Sequence, residues 1–259
     1  MNMASDRPIV MNILLDDLKK AGMLDDENYQ LAQFARRAPS ELKMHPFAFI
    51  GKQKLTNQKT GGKLTEEVIC EWAAADKGLD YSRIDPLEVD VAAITSAMSY
   101  AFSERHKILA LKVSKEELVV ACSEPNITSW VQDLEHVSRR NVIRILAMPS
   151  EIERHRVEFY QLANSINRAS SQHDGISGIQ NLESMLELGK ATAPDANDEH
   201  IVNVVDWLLQ YAFEQRASDI HIEPRRELGK VRFRIDGVLH LVYELPAQVT
   251  QAVIARIKT

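Results

Sequence analysis

The residues of this chain best suited to chemistry lie towards its C-terminal end. His221 and Glu223 alternate with Ile220 and Ile222, and Arg232 and Arg234 alternate with Val231, Phe233 and Ile235. Successive strand side chains point to opposite faces, so two neighbouring strands with this pattern carry one apolar face and one row of acid, imidazole and guanidinium. Such a row has two readings. It is a solvated antiparallel face whose cross-strand charge pairs are each worth roughly a few tenths of a kcal/mol. Alternatively, Arg232 and Arg234 present planar, permanently charged donors to a phosphate held by another domain, as an arginine finger does. Spacing alone leaves both open.

No other constellation equips the chain for catalysis by itself. Gly61-Gly62-Lys63-Leu64 contains the Gly-Lys of a phosphate-binding loop, but that motif needs a glycine five residues earlier, Ser or Thr after the Lys, and a preceding strand. Position 57 is Asn, position 64 is Leu, and no strand is expected before them. No dinucleotide fingerprint is present. The eight histidines lack a metal-binding spacing, and His45, His106, His136 and His155 read as surface or satisfied core residues. No serine or cysteine has the context of a nucleophile.

The elements that must position the ionic row are legible around it. Ile201 to Gln215 is expected to be a helix with Val202, Val205, Leu208, Leu209, Ala212 and Phe213 on one side. Ser218-Asp219 ends it, and strands follow at Ile220–Glu223 and around Val231–Ile235. Asp236-Gly237 is a two-residue hairpin signal before a strand from Val238 to Tyr243, and a helix begins near Ala247. The order is α-β-β-β-α. Arg256 to Thr259 brings neither a helix cap nor a loop, so the chain is expected to be cut from something longer.

Upstream, Ser170 to Gly178 and Pro194 to Asp198 are turn-forming and polar, so residues 168–199 read as a flexible linker, interrupted by a short amphipathic helix from Ile179 to Leu188. Residues 1–167 then form a first domain, helical over 1–80 and an α/β sandwich over 86–162. Helices are expected around Ile13–Leu18 and from Asp26 to Arg37, then an exposed loop at Asn57–Gly62. A helix from Leu64 to Ala75 has Thr65 as its N-cap and Val68, Ile69 and Trp72 inward. From Pro86 the order is helix (Ala92–Phe102), strand (Ile108–Val113), strand (Leu118–Cys122), helix (Thr128–Ser138), strand (Val142–Ala147), helix (Pro149–Leu162), with Leu109, Leu111 and Val113 alternating as a half-buried strand. Residues 200–259 make a second, smaller domain.

Composition agrees with two domains. The chain has 259 residues, 45% hydrophobic and 26% charged, ordinary values for a globular protein that buries cores. A formal charge of −6 offers no broad cationic field for nucleic acid or an anionic membrane. Cys70 and Cys122 are too far apart for a metal pair and too few for a disulfide scaffold, which suits a reducing compartment. No apolar stretch approaches a membrane span, so any membrane association is expected to run through partners.

One segment carries more specific information. Arg216 to Leu239, RASDIHIEPRRELGKVRFRIDGVL, closely resembles the opening of the second N-terminal domain of the type II secretion and type IV pilus assembly ATPases. The region from about His45 to Tyr160 resembles that family's more variable N-terminal domain. The resemblance implies a hexameric cytoplasmic ATPase working with ATP and Mg²⁺ in its full-length form. An α+β N-terminal docking domain would bind the cytoplasmic domain of an inner-membrane platform protein. The α/β second domain would bring Arg232 and Arg234, and less strongly Arg216, to the ATP phosphates of a following RecA-like domain. Asp219, His221 and Glu223 would then shape the motif and its interface. The family's Walker motifs and any zinc-binding cysteines fall beyond Thr259, so the segment alone is expected to bind neither ATP nor metal and to show no turnover.

Some members of the family bind cyclic di-GMP through the first domain. Leu18 to Leu24 resembles part of one such motif without its Arg-Leu-Gly opening, and Gly61 to Thr65 is a poor second copy. The competing class is therefore a non-enzymatic adaptor or cyclic di-GMP-binding module without a motor, although a helix–turn–helix explains the same leucines.

Overall fold

In the computed structural model residues 6–171 and 196–259 are described, in two units that divide between Val157 and Glu158. In the first, α1 (Met11–Lys20) forms because Leu14, Leu15 and Leu18 bury one side. It stops at a turn in which Gly22 takes φ +71°, a conformation that costs a glycine little. Asp25 then caps α2 (Asp26–Phe34), its carboxylate accepting from the Asn28 N–H at 2.8 Å. The helix ends three residues before the expected Arg37, because Ala35 turns extended and the Arg37 guanidinium stacks on the Phe49 ring, 4.5 Å from its centroid.

Phe49 belongs to α3 (Pro46–Lys52), a helix that the sequence reading missed. Pro46 stands at its first turn, the His45 ring accepts from the Phe47 N–H at 3.2 Å, and Phe47, Phe49 and Ile50 are buried. Seven residues are too few to display a helical period. Thr65 caps α4 (Glu66–Lys77) as anticipated. Its buried side is Ile69, Cys70, Ala73 and Ala74, with Val68 and Trp72 only half-buried.

A four-stranded sheet in the order β1-β4-β3-β2 follows: β1 (Asp80–Tyr81), β2 (Ile108–Val113), β3 (Glu117–Cys122) and β4 (Asn141–Leu146). β1 pairs parallel with β4 and at two residues is below what periodicity can reveal. Ile108, Leu109 and Ala110 are all buried, so β2 starts between two covered faces and lacks the alternation expected of Leu109, Leu111 and Val113. The single helix expected over Ala92–Phe102 is two, α5 (Val91–Ala97) and α6 (Tyr100–His106), because Ser99 is extended and caps the second by accepting from Phe102 N–H. Helix α7 (Ser129–Ser138) and the start of α8 (Pro149–Ser171) complete the mixed layers; α8 crosses the division between the units and runs on into the stretch read as linker. The helix expected at Ile179–Leu188 lies outside the described residues.

In the second unit Asp198 caps α9 (Glu199–Glu214) by accepting from the His200 N–H at 2.7 Å. Its buried side is Ile201, Val204, Val205, Leu208, Tyr211 and Ala212. That is a rotation of the face read from the sequence, and it leaves Leu209 and Phe213 exposed at 50% and 85%. The antiparallel sheet β5 (Asp219–Glu223), β6 (Leu228–Ile235), β7 (Val238–Pro246) and the helix α10 (Ala247–Lys258) give the anticipated α-β-β-β-α order. β6 and α10 meet so closely that a Cβ on Gly229 would lie 2.4 Å from the Thr250 hydroxyl. Among the described residues no helix is long and apolar enough to cross a membrane.

Candidate functional site

The ionic row is built by pairing. Ser218 N–H donates to the Arg234 carbonyl at 2.9 Å, pinning the start of β5 to the end of β6. The register then sets Asp219 opposite Arg234, His221 opposite Arg232 and Glu223 opposite Lys230. Asp236 and Gly237, at φ +49° and +83°, close the two-residue turn into β7, the geometry that suits the twist of a tight hairpin. Val231 and Phe233 bury the other face, the Phe233 ring 5.6 Å from that of Tyr211. Alternation along β6 is regular, so the sheet cannot bury its apolar residues without presenting its arginines.

The two arginines are held differently. Arg234 is engaged at all three nitrogens: Nε donates to Asp219 Oδ2 at 3.1 Å, Nη1 to the Gly237 carbonyl at 3.2 Å, and Nη2 lies 3.4 Å from His221 Nε2. It ties β5 to the hairpin turn. Arg232 makes a single ion pair among the described residues, Nη1 to Glu223 Oε1 at 3.2 Å. Glu223 is shared, its second oxygen standing 3.3 Å from Arg225. The Arg232 and Arg234 side chains are about a third exposed, at 30% and 35%, which leaves these pairs screened and individually weak.

A further device sits at Arg232. The β6–β7 register runs from Val231↔Tyr243 to Arg232↔Leu241, so Val242 is an extra residue and both Val242 and Tyr243 are buried. Such a bulge bends the strand and re-aims neighbouring side chains. Nothing in the alternation of β7 signals it. Arg216 stands apart: it is exposed beyond the C-terminal end of α9 with φ +53° and takes no part in the hydrogen bonds and ion pairs of the row described above. Sequence reasoning also missed Arg225, Lys230 and Glu244, the last two paired at 3.2 Å. The even spacing of Lys230 with Arg232 and Arg234 was the signal that could have found Lys230.

Elsewhere the residues weighed for chemistry also take part in packing. Asn57–Lys63 is a turn closed by a Thr56–Lys63 bridge. Leu18, Met23 and Leu24 are core residues, as a helix–turn–helix requires. His45 pairs with Glu124 at 3.2 Å and His155 is buried. Among the described residues no group of His, Cys, Asp and Glu could hold a metal ion. Cys70 and Cys122 are free and buried, and burial pushes the Cys122 thiol up to about 11.

Comparison with known proteins finds relatives over most of the chain. The MshEN domain matches residues 78–166, and the type II/IV secretion system protein family matches residues 195–259, the segment that carries the row. The type IV pilus assembly ATPase TfpB of Acinetobacter baylyi is 41% identical over 94% of this chain and 42% of its own length. PilB of Myxococcus xanthus is 26% identical over 76% of this chain and 34% of its length. Type II secretion system protein E of Xanthomonas campestris is 49% identical over 24% of this chain and 11% of its length. A solved structure of MshE with cdg superposes with a TM-score of 0.37 at 17% identity, over 57% of this chain and 98% of that one. The chain belongs to the type II secretion and type IV pilus assembly ATPase family. It spans less than half the length of these relatives.

Proposed function

We propose that this chain is the N-terminal part of a hexameric cytoplasmic ATPase that powers type IV pilus assembly or type II secretion. In this reading residues 1–167 dock on the cytoplasmic domain of an inner-membrane platform protein, residues 168–199 link, and residues 200–259 complete an ATP site. ATP and Mg²⁺ would be held by the RecA-like part of the whole protein. The observation that carries the reading is the asymmetry between Arg232 and Arg234 within the segment matched by the secretion family. Arg232 is oriented by Glu223 through one nitrogen, which leaves a rigid donor fork for phosphate oxygens. Arg234 is committed to Asp219, His221 and the turn, and positions the hairpin that carries Arg232.

A donor aimed at developing phosphate charge is worth about 10²–10³ in kcat. In the whole protein Arg232→Ala should lower steady-state ATP turnover by about that factor with an unchanged circular dichroism spectrum, and Arg234→Ala should lower it less while loosening the fold. Unchanged turnover in both variants returns the row to a solvated face of charge pairs.

A further inference from the structure

The overall charge of −6 conceals a local reversal. From Phe34 to Lys63 there are seven basic residues and one acidic. Arg36, Lys43 and Lys54 within that stretch are exposed and form no ion pair among the described residues. The segments that carry them border α3: the Arg37 guanidinium lies on Phe49 in the middle of that helix, Lys52 at its end pairs with Glu41 at 3.5 Å, and Lys54 follows two residues on. Large apolar side chains stand beside these cations. Phe34 is 77% exposed, Leu42 65% and Leu31 59%. Leu31 and Phe34, three residues apart on α2, share one side of that helix.

We propose that this surface, Leu31, Phe34, Arg36, Leu42, Lys43 and Lys54, rests directly on an anionic phospholipid bilayer. Charge complementarity selects the occupant. Unpaired cations seek a dense field of phosphates, and each basic side chain close to an anionic membrane strengthens binding by about fivefold. The apolar residues adjoin cations instead of lining a groove. That arrangement suits shallow insertion at the headgroup boundary, whereas a protein partner would be expected to offer a desolvated apolar centre with charge at its rim. The expectation that the chain meets a membrane only through partners rested on the lack of a spanning apolar stretch, which does not bear on surface binding, and the summed charge of −6 hides this segment.

The test is co-sedimentation of the 259-residue chain with vesicles of phosphatidylcholine alone and with phosphatidylglycerol added, at low and high salt. The expected result is binding only to the anionic vesicles, reversed by salt. It should weaken about a hundredfold in the triple variant Arg36→Ser, Lys43→Ser, Lys54→Ser, and weaken in Phe34→Ser without loss of the salt dependence. All these positions are exposed, and unchanged circular dichroism and thermal midpoints check that the variants remain folded. No preference for anionic vesicles, or binding that the triple variant leaves intact, overturns the proposal. Capture by an acidic platform-protein domain through the same residues, without vesicle binding, also overturns it and assigns the surface to a protein.

Discussion

The two sheets of this protein are built from similar residues and do opposite things with them. In β3 of the first unit Leu118, Val120, Ala121 and Cys122 are all buried, with β4 running parallel to one side and β2 antiparallel on the other. A strand covered on both faces reads as a nearly continuous apolar run and has no room for charge. In β6 of the second unit Gly229, Val231 and Phe233 are buried while Lys230, Arg232 and Arg234 remain partly exposed. The first sheet is a scaffold, and the second is a display surface with a core on its back. Strand pattern and surroundings agree in each sheet on the role it takes.

Placing charge in the first sheet is the sharpest way to break that contrast. Val120→Lys buries an unpaired ammonium, which costs roughly several kcal/mol even after relaxation, so the first unit should lose its cooperative urea transition. An unchanged midpoint would show that the two sheets tolerate charge alike. Next in size is the back of the display sheet. Phe233→Ala should destabilise the second unit by about 3–5 kcal/mol, read from denaturant titration.

Gly229→Ala tests how closely α10 seals the same face. Its Cβ would overlap the Thr250 side chain, and overpacking of this kind costs about 1–3 kcal/mol. Combining it with Thr250→Ala should cost less than the sum of the two single changes; simple additivity would mean that the two do not collide. On the displayed side, Arg234→Ala should cost at most about 1 kcal/mol and Arg232→Ala less, as exposed pairs do.

The smallest effect belongs to the surface of the first unit. The Arg83 guanidinium beside Glu67 holds that carboxyl below its usual range. A depressed folded-state pKa contributes stability that is present above the ordinary carboxylate pKa and is lost as pH falls through the folded value. Stability measured across the acid range should therefore decline in the native protein, and the decline should be shallower in Glu67→Gln.

Much of this was readable in order along the chain. Asp236-Gly237 announced its hairpin, Thr65 its helix, and the alternation of Val231, Phe233 and Ile235 its strand, because each signal is local and needs only chain geometry. The misses share a cause. β1 and α3 are too short to show a period, and α9 buries Val204 and Tyr211 in place of Leu209 and Phe213 because the neighbouring elements choose which side of a helix is covered. In the candidate site the residue types and their common face were legible, whereas the unequal engagement of Arg232 and Arg234 was not.

The sequence by itself determined that a row of acids, a histidine and arginines would lie on one face of a hairpin-linked sheet, since period-two alternation and a glycine turn leave no other arrangement. Tertiary structure decided how firmly each arginine is held. That depends on the β5–β6 register, the carbonyl of Gly237 and the extra residue at Val242, and pairing between strands is a contact between distant segments that no local pattern specifies. The same holds for charge: composition fixes a total of −6, while the fold leaves Arg36, Lys43 and Lys54 exposed and outside any ion pair among the described residues.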